Sequence, residues 1–279
     1  MPADSDVPGG DLLISSTANP RVKQLLALRR RRTRDETGLT LVDGIEELSL
    51  AIAAGVRPHT VFVSTELLTS DEANAVVARA RGLDAEIVRL APGVFARVAY
   101  REGPDGVLAT LPAASTQLHD LALPASPLVL VCQGIEKPGN LGAMLRTADA
   151  AGVDAVIATD PVTDVGNPNV IRASKGTVFA VPVATATTAA TLAWLESRSL
   201  RLVVTTPDTD QDYTDTDYTG GVAVAVGSEK YGVSDEVLDA ATDRVRIPMR
   251  GRANSLNVAA SAAVVIYEAV RQRGLLKGG

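Results

Sequence analysis

The sequence predicts an α/β protein of two domains, and three observations support this fold class. The chain has 279 residues, roughly twice the usual length of one domain. Hydrophobic residues make up 46% of it and charged residues 22%, which is typical of a globular protein. Strand-like and helix-like segments alternate along almost the whole chain, as they do in proteins built on parallel sheets.

The first half describes a small α/β domain that follows a Pro- and Gly-rich tail. Residues 1–14 are predicted to be the flexible tail and residues 15–112 the domain. A helix begins at Asn19-Pro20, because proline fits the first helical turn, and Gly38 ends it. Short apolar runs then alternate with amphipathic segments. The predicted strands are 39–42, 60–64, 85–90 and 106–111, and the predicted helices are 45–55, 71–82 and 92–99.

A linker is predicted over residues 113–127, where prolines and small residues interrupt the alternation. The alternation resumes in the second half, 128–279, with strands that are apolar throughout. Such strands are typical of a parallel sheet covered on both faces. The predicted strands are 128–134, 155–159, 178–185, 201–206, 221–227 and 244–249, and the predicted helices are 140–152, 168–175, 188–198, 233–241 and 255–272.

Basic residues cluster near the N-terminus, although the net charge of the chain is −6. A polyanion responds to such a local patch because ionic screening over about 8–10 Å hides distant charge. The cluster is consistent with a solvated helix face or with a nucleic-acid contact. Its members are Arg21, Lys23, Arg29, Arg30, Arg31, Arg32 and Arg34.

Several classes of protein are disfavoured by what the sequence contains. The single cysteine, Cys132, excludes an internal disulfide bond, and two histidines leave little with which to build a metal site, so no metal is expected. The N-terminal residues lack the pattern of a signal peptide, and no apolar run is long enough to span a bilayer. We therefore expect a protein of the reducing cytoplasm that is not bound to a membrane.

Three segments of the second half each join the end of a strand to the start of a helix through glycine and polar residues. They are 134–152, 226–234 and 247–261. Ligands of open α/β sheets bind beyond the carboxyl ends of strands, so these segments are candidate parts of a site. Each one taken singly is also consistent with an ordinary helix cap. None contains a dinucleotide or P-loop glycine motif, which disfavours a nucleotide-linked oxidoreductase.

Taken together, NLGAMLRTADAAG (140–152), VGSEKYGVS (226–234) and IPMRGRANSLNVAASAAVVIYE (247–268) resemble the three motifs of the SpoU (TrmH-like) RNA 2′-O-ribose methyltransferases of the SPOUT superfamily. The first half is similar to the small L30-like RNA-binding domain that precedes many members. The resemblance implies a deep trefoil knot in the C-terminal domain, S-adenosylmethionine as cofactor, and a homodimer in which each active site borrows from its partner.

The resemblance also implies roles for residues at the matching positions. The catalytic group would be Asn140, Arg146, Glu229, Ser255 and Asn257. The cofactor would contact Thr205, Thr206, Pro207, Val226, Gly227, Ser228, Ile247, Met249, Ser255 and Leu256. We expect Arg146 to bind the target phosphate and to stabilise the 2′ oxyanion, because a guanidinium does not readily give up a proton. The first motif departs from the family at Lys137, where many members have Asp, and this leaves the contacts of that loop open.

The substrate implied by the resemblance is ribosomal RNA, with 23S rRNA as the first choice, since a separate N-terminal domain and a basic start resemble the rRNA-directed members. In that case the basic segment would clamp RNA phosphates. Transfer RNA is the alternative substrate, and a catalytically silent RNA-binding or assembly protein is the alternative function. The Ala-, Val- and Arg-rich composition suggests a GC-rich genome, and similar enzymes of antibiotic producers add a ribosome-protecting resistance role as a hypothesis.

Overall fold

The computed structural model describes residues 12–114 and 117–274, in which strands and helices alternate as the sequence predicts. The strands are β1 Leu12–Ile14, β2 Leu39–Asp43, β3 Thr60–Val63, β4 Glu86–Leu90, β5 Val107–Pro112, β6 Leu128–Gln133, β7 Ala155–Thr159, β8 Val183–Ala186, β9 Arg201–Thr205, β10 Val222–Val226 and β11 Asp243–Val245. The helices are α1 Pro20–Ala27, α2 Arg31–Thr37, α3 Ile45–Ala53, α4 Asp71–Arg81, α5 Pro92–Val98, α6 Pro138–Ala151, α7 Pro168–Ala173, α8 Thr188–Ser197, α9 Asp235–Asp239 and α10 Val258–Gln272.

The chain divides into two compact units. One consists of the described residues of Met1–Ala114 together with Gly166–Ala180, and the other of the described residues of Ser115–Val165 and Val181–Gly279. The predicted division of the chain at 113–127 therefore differs from the structure in one respect. A segment of the second half, which includes α7, belongs to the first unit, where α7 packs against β2.

The first unit contains a five-stranded mixed sheet in the order β1-β4-β3-β5-β2. β5 runs antiparallel to both of its neighbours, and the other pairs are parallel. The core is aliphatic with two phenylalanines, Phe62 and Phe95, which fits the low aromatic content. Burying these side chains is the main favourable contribution to the stability of the unit.

Two local features of the first unit differ from the sequence prediction. Leu12–Ile14 form β1, which pairs with β4, whereas the predicted tail extends to residue 14. The single helix predicted from Asn19-Pro20 to Gly38 is divided into α1 and α2. A local side-chain contact stabilises the division, because the Arg34 side chain donates to the carbonyl oxygens of Leu28 and Arg29 at the end of α1.

A buried ionic group, the Arg101 cluster, joins β2 to α3 in the first unit. It consists of Arg101 with the carboxylates of Asp43, Glu47 and Asp105, at 3.6, 3.2 and 3.1 Å respectively. Asp43 and Glu47 are almost completely buried. Burial raises the pKa of both carboxyl groups, because the charged form loses its hydration.

The second unit contains a six-stranded parallel sheet in the order β11-β9-β10-β6-β7-β8, which confirms the parallel sheet predicted for the second half. β6, β7 and β10 are buried along their whole length. Cys132 is a core residue of β6, as expected, and burial raises the pKa of its thiol to about 12. α10 packs against α6 and β10. In the described residues, no helix has both the length and the apolar character that crossing a bilayer requires.

Two strand predictions in the second half are too long. The segment predicted as a strand over 178–185 begins as a 3-10 turn, Thr177–Phe179, and only Val183–Ala186 pair with the sheet. The turn follows Gly176, whose φ of +83° lies in the left-handed region. The strand predicted over 244–249 is β11, Asp243–Val245, and the chain leaves the sheet after it. Since β6, β9 and β10 are parallel neighbours, the loops after them meet at one edge of the sheet.

Candidate active site

Three polar side chains from the three predicted motif segments meet at this edge. Glu229, which follows β10, accepts hydrogen bonds on Oε1 from Asn140 Nδ2 at 3.0 Å and from Asn257 Nδ2 at 2.8 Å. Asn257 Nδ2 also lies 3.1 Å from Asn140 Oδ1. Asn140 lies in the first turn of α6, and Asn257 caps α10 by accepting from the Ala259 amide. The structure therefore brings together three of the five residues predicted to be catalytic.

Lys137 is a fourth member of this group, and sequence reasoning did not assign it a role. Its ammonium forms an ion pair with Glu229 Oε2. This hydrogen bond is the largest of the effects that lower the pKa of Glu229, and the bond from Asn140 is the next. The same contact raises the pKa of Lys137. Its departure from the family pattern was the signal that could have drawn attention to it. We call Lys137, Asn140, Glu229 and Asn257 the Glu229 cluster.

A cleft of about 720 Å³ opens beside the cluster. Its walls are the segments that follow β9 and β10 and the segment that precedes α10. A smaller recess of about 100 Å³ shares part of these walls and extends to Ile247 and Met249. The ten residues predicted to contact the cofactor all line one or both cavities: Thr205, Thr206, Pro207, Val226, Gly227, Ser228, Ile247, Met249, Ser255 and Leu256.

The wall that follows β10 is a closed loop that only glycine at position 227 permits. Ser228 and Gly232 exchange two backbone hydrogen bonds of 2.9 Å. A Cβ atom on Gly227 would lie 2.0 Å from the carbonyl carbon of Gly232 and 2.3 Å from the amide nitrogen of Val233. Because these are backbone atoms, the loop could not relax by turning a side chain. Gly227 therefore keeps the loop closed against the end of β10.

A buried network under the cleft supports the start of α9, and sequence reasoning missed it. Gln133, the last residue of β6, accepts from the Ser234 amide at 2.8 Å and donates to Ser234 Oγ at 2.8 Å and to Thr188 Oγ1 at 2.7 Å. Thr188 Oγ1 in turn donates to Asp160 Oδ2 at 2.6 Å. A glutamine at the end of a fully apolar strand was the available signal, since a buried amide needs partners.

Comparison with known families agrees with this geometry. A profile described as the SpoU rRNA Methylase family matches residues 127–267, which contain the Glu229 cluster and both cavities. A second profile, the MRM3-like substrate binding domain, matches residues 19–109. The chain belongs to the SpoU rRNA methylase family. The family predicted from the three motifs is thereby confirmed.

Relatives of this SpoU methylase match it over almost the whole chain. It is 31% identical to the 23S rRNA (uridine(2479)-2'-O)-methyltransferase of Streptomyces viridochromogenes, over 92% of each chain. It is 29% identical to the 23S rRNA (guanosine(2553)-2'-O)-methyltransferase RlmP of Bacillus subtilis, over 91% of this chain and 97% of that one. The AdoMet-bound rRNA methyltransferase of Sinorhizobium meliloti superposes with a TM-score of 0.85 and 28% identity, over 93% of this chain and 97% of that one.

Two of the five residues predicted to be catalytic lie outside the Glu229 cluster. Arg146 is exposed on α6 and, among the residues that the structure describes, makes neither a hydrogen bond nor an ion pair. Its six-residue separation from Asn140 places it about 9 Å further along the helix and about 120° around it. Ser255 is exposed and lines both cavities, but it forms no hydrogen bond with the cluster in the described parts of the chain.

Two arginines of the basic segment, Arg34 and Arg29, form hydrogen bonds within the first unit, and the prediction that Arg34 binds RNA is therefore wrong. The Arg34 side chain is only 3% exposed and closes the end of α1 through the carbonyls of Leu28 and Arg29. A guanidinium buried in this way is not available to RNA. Arg29 is also engaged, because it donates to the carbonyls of residues 97–99 and lies 4.8 Å from the centre of the Tyr100 ring.

The other basic side chains of this segment lie at the surface. Arg21 forms an ion pair with Glu86 at 2.6 Å, and Arg31 and Arg32 pair with acidic residues one turn later on α2. Lys23 and Arg30 are exposed and form no ion pair with the rest of residues 12–114 and 117–274. These two side chains are the most readily available to a phosphate.

Proposed function

We propose that this SpoU methylase transfers the methyl group of S-adenosylmethionine to a ribose 2′-hydroxyl of 23S ribosomal RNA. The observation that carries the proposal is the Glu229 cluster, which stands beside two adjoining cavities whose walls together include all ten residues expected to contact the cofactor. The names of the relatives that match over more than nine-tenths of the chain favour 23S rRNA over transfer RNA and over a silent binding protein.

The residues of the cleft suit S-adenosylmethionine. The cleft volume of about 720 Å³ falls within the range of about 300–1,000 Å³ that ligand sites usually have. Ile247, Met249 and Leu256 offer apolar surface for a purine, and the backbone of the closed loop offers polar groups. When bound, the cofactor supplies a methyl group activated on a sulfonium. The resemblance implies a deep trefoil knot in this domain, and the proposal includes this knot.

The chemistry requires a ribose hydroxyl, a poor nucleophile, to be aligned with the methyl group while negative charge develops on its oxygen. We assign Arg146 to the target phosphate and to this developing charge, and Ser255 and Asn140 to the alignment of the ribose. Glu229 is assigned to holding the two asparagine amides in place. Three donors engage it and its pKa is lowered, which makes it a poor proton acceptor.

The proposal includes a homodimer in which Arg146 reaches the Glu229 cluster of the partner subunit. One observation favours it. Arg146 is exposed and, among the described residues, makes neither a hydrogen bond nor an ion pair. A composite site explains why one subunit leaves Arg146 outside its own cluster.

Mixing two inactive variants tests the composite site. Arg146→Ala and Asn140→Ala are each expected to be inactive as homodimers. In a randomly mixed population, half of the dimers are heterodimers and each of these holds one intact site, so about a quarter of wild-type activity should return. No recovery in dimers shown by native mass spectrometry to be mixed would overturn the composite site.

The first unit is proposed to be the L30-like RNA-binding part of the enzyme, with the surface arginines and Lys23 contacting phosphates. The match to a substrate binding domain supports this role. The relatives named above act on a uridine and on a guanosine respectively, so the methylated base differs between them. The cytoplasmic location and the ribosome-protecting role stay predictions.

Methyl transfer tests the function directly. Radiolabelled S-adenosylmethionine is offered with unmodified 23S rRNA, 16S rRNA or bulk tRNA, and Arg146→Ala serves as the matched control. Label in 23S rRNA that is absent with the variant is the expected result. Label only in tRNA would overturn the substrate, and the absence of cofactor binding would favour the silent RNA-binding protein.

A further inference from the structure

Lys137 completes the coordination of Glu229. The ammonium engages Oε2 of the carboxylate, while the amides of Asn140 and Asn257 both donate to Oε1. Lys137 immediately precedes α6, and Asn257 caps α10. A continuous series of contacts therefore runs from the start of one helix to the start of the other, and Glu229 is its centre.

We propose that Lys137 is a positioning residue of the methyltransferase, which fixes Glu229 in the orientation that gathers the two asparagine amides on one carboxylate oxygen. The effect on methyl transfer rests on the proposed function, whereas the effect on Glu229 itself does not. The proposal assigns a role to the position at which the first motif departs from the family pattern.

The contact with Lys137 restricts the freedom of the Glu229 side chain. Its carboxylate is about one-third exposed, and a glutamate side chain has considerable rotamer entropy to lose when it is fixed. Without a cation on Oε2, the carboxylate can turn and share the two amides between its oxygens, or turn towards Lys230. A charge-assisted bond to Lys137 selects one of these arrangements. The asparagine side chains then keep a single orientation beside the cleft.

The charge of Lys137 also affects the titration of Glu229. The other charged groups nearby are Glu136 next to Lys137, Lys230 next to Glu229, and Asp208 and Asp235 on the walls of the cleft. Since the bond from Lys137 contributes most to lowering the pKa of Glu229, its removal should raise that pKa. The acidic limb of the kcat profile should then move to higher pH.

The test compares Lys137→Met, which keeps the apolar stem, with Lys137→Arg, which keeps the charge. Lys175→Met is a matched control, because Lys175 also forms an exposed ion pair with a glutamate, Glu46, and both residues belong to the first unit. The first readout is the ¹³C NMR titration of the Glu229 carboxyl in the whole protein, assigned with Glu229→Gln. The second is kcat and KM for RNA across pH, with the Kd of S-adenosylmethionine measured separately.

Lys137→Met is expected to raise the pKa of Glu229 and to lower kcat by about fivefold, the upper end of what an exposed ion pair contributes. The KM for RNA and the Kd of the cofactor should change by less than about twofold, because neither ligand loses a contact. Lys137→Arg should restore both readouts, and Lys175→Met should behave as the wild type.

Three results would overturn the proposal. The first is an unchanged Glu229 pKa in Lys137→Met. The second is a Lys137→Met variant in which only the KM for RNA rises, because Lys137 would then be an RNA ligand. The third is a failure of Lys137→Arg to restore kcat. If the wild type methylates no RNA, the proposed function fails, but the NMR titration still decides whether Lys137 fixes Glu229. Lys137 is two-thirds exposed, so folding of its variants, checked by circular dichroism, should match the wild type.

Discussion

Replacing Gly227 with alanine should open one wall of the cofactor cleft. The added methyl carbon would lie 2.0 Å from the carbonyl carbon of Gly232 and 2.1 Å from its oxygen, which is far inside van der Waals contact. The loop must therefore move away from the end of β10 and lose the two hydrogen bonds between Ser228 and Gly232. Each such bond contributes about 0.5–1.5 kcal/mol, so closing the loop for the cofactor should cost about 1–3 kcal/mol more than in the wild type.

This cost corresponds to a Kd for S-adenosylmethionine that is about 5- to 150-fold higher, measured by isothermal titration calorimetry. Gly93→Ala is the matched control, because a Cβ atom at Gly93, in α5, meets nothing within 4 Å. That variant should bind the cofactor as the wild type does. An unchanged Kd in Gly227→Ala, with an unfolding free energy equal to that of the control, would refute the reasoning about the closed loop.

Three further predictions concern side chains of both units. Arg146→Lys keeps the charge but loses the planar fork. Single-turnover methylation should fall about 100-fold, as on loss of one donor to a developing oxyanion, while the Kd of the cofactor is unchanged; an unchanged rate would exclude the proposed role. Lys23→Gln should reduce the slope of log Kd for RNA against log salt by about 1. Arg34→Gln should instead lower the free energy of unfolding. If Arg34→Gln changed the salt slope and left the stability unchanged, the prediction that Arg34 binds RNA would be restored. Arg101→Met leaves two buried carboxylates without their cation, so urea unfolding at pH 7 should show a loss of about 3 kcal/mol. Burial raises the pKa of both carboxyl groups, so this loss should shrink as the pH is lowered and they take up protons. A loss that stays constant as the pH is lowered from 7 to 4 would contradict this account.

Much of the fold could be predicted from the sequence because its strands are buried on both faces. A run such as 222–226, in which each residue is Val or Ala, is apolar whatever its neighbours are. Features that depend on distant residues could not be predicted in this way. β1 exists because it pairs with β4, which lies far away in the sequence. The break between α1 and α2 is local, but it depends on a side-chain contact of Arg34 that a periodicity pattern does not show.

The candidate site was also predictable in part. The three motif segments follow strand ends, and the structure brings Asn140, Glu229 and Asn257 together as the resemblance implies. The partner of Lys137 could not be predicted, because Glu229 lies 92 residues away in the sequence. Similarly, the basic segment contains seven like charges in sequence, and nothing in their order distinguishes the buried Arg34 from the exposed Lys23.

The position of the transferred methyl group on the RNA tests the central claim most directly. A 2′-O-methyl group removes the nucleophile of alkaline hydrolysis, so the adjacent phosphodiester resists cleavage. After reaction with labelled S-adenosylmethionine, 23S rRNA should release the label in one alkali-resistant dinucleotide, and the same digest from Arg146→Ala should contain none. Label recovered in mononucleotides would place the methyl group on a base and contradict the account.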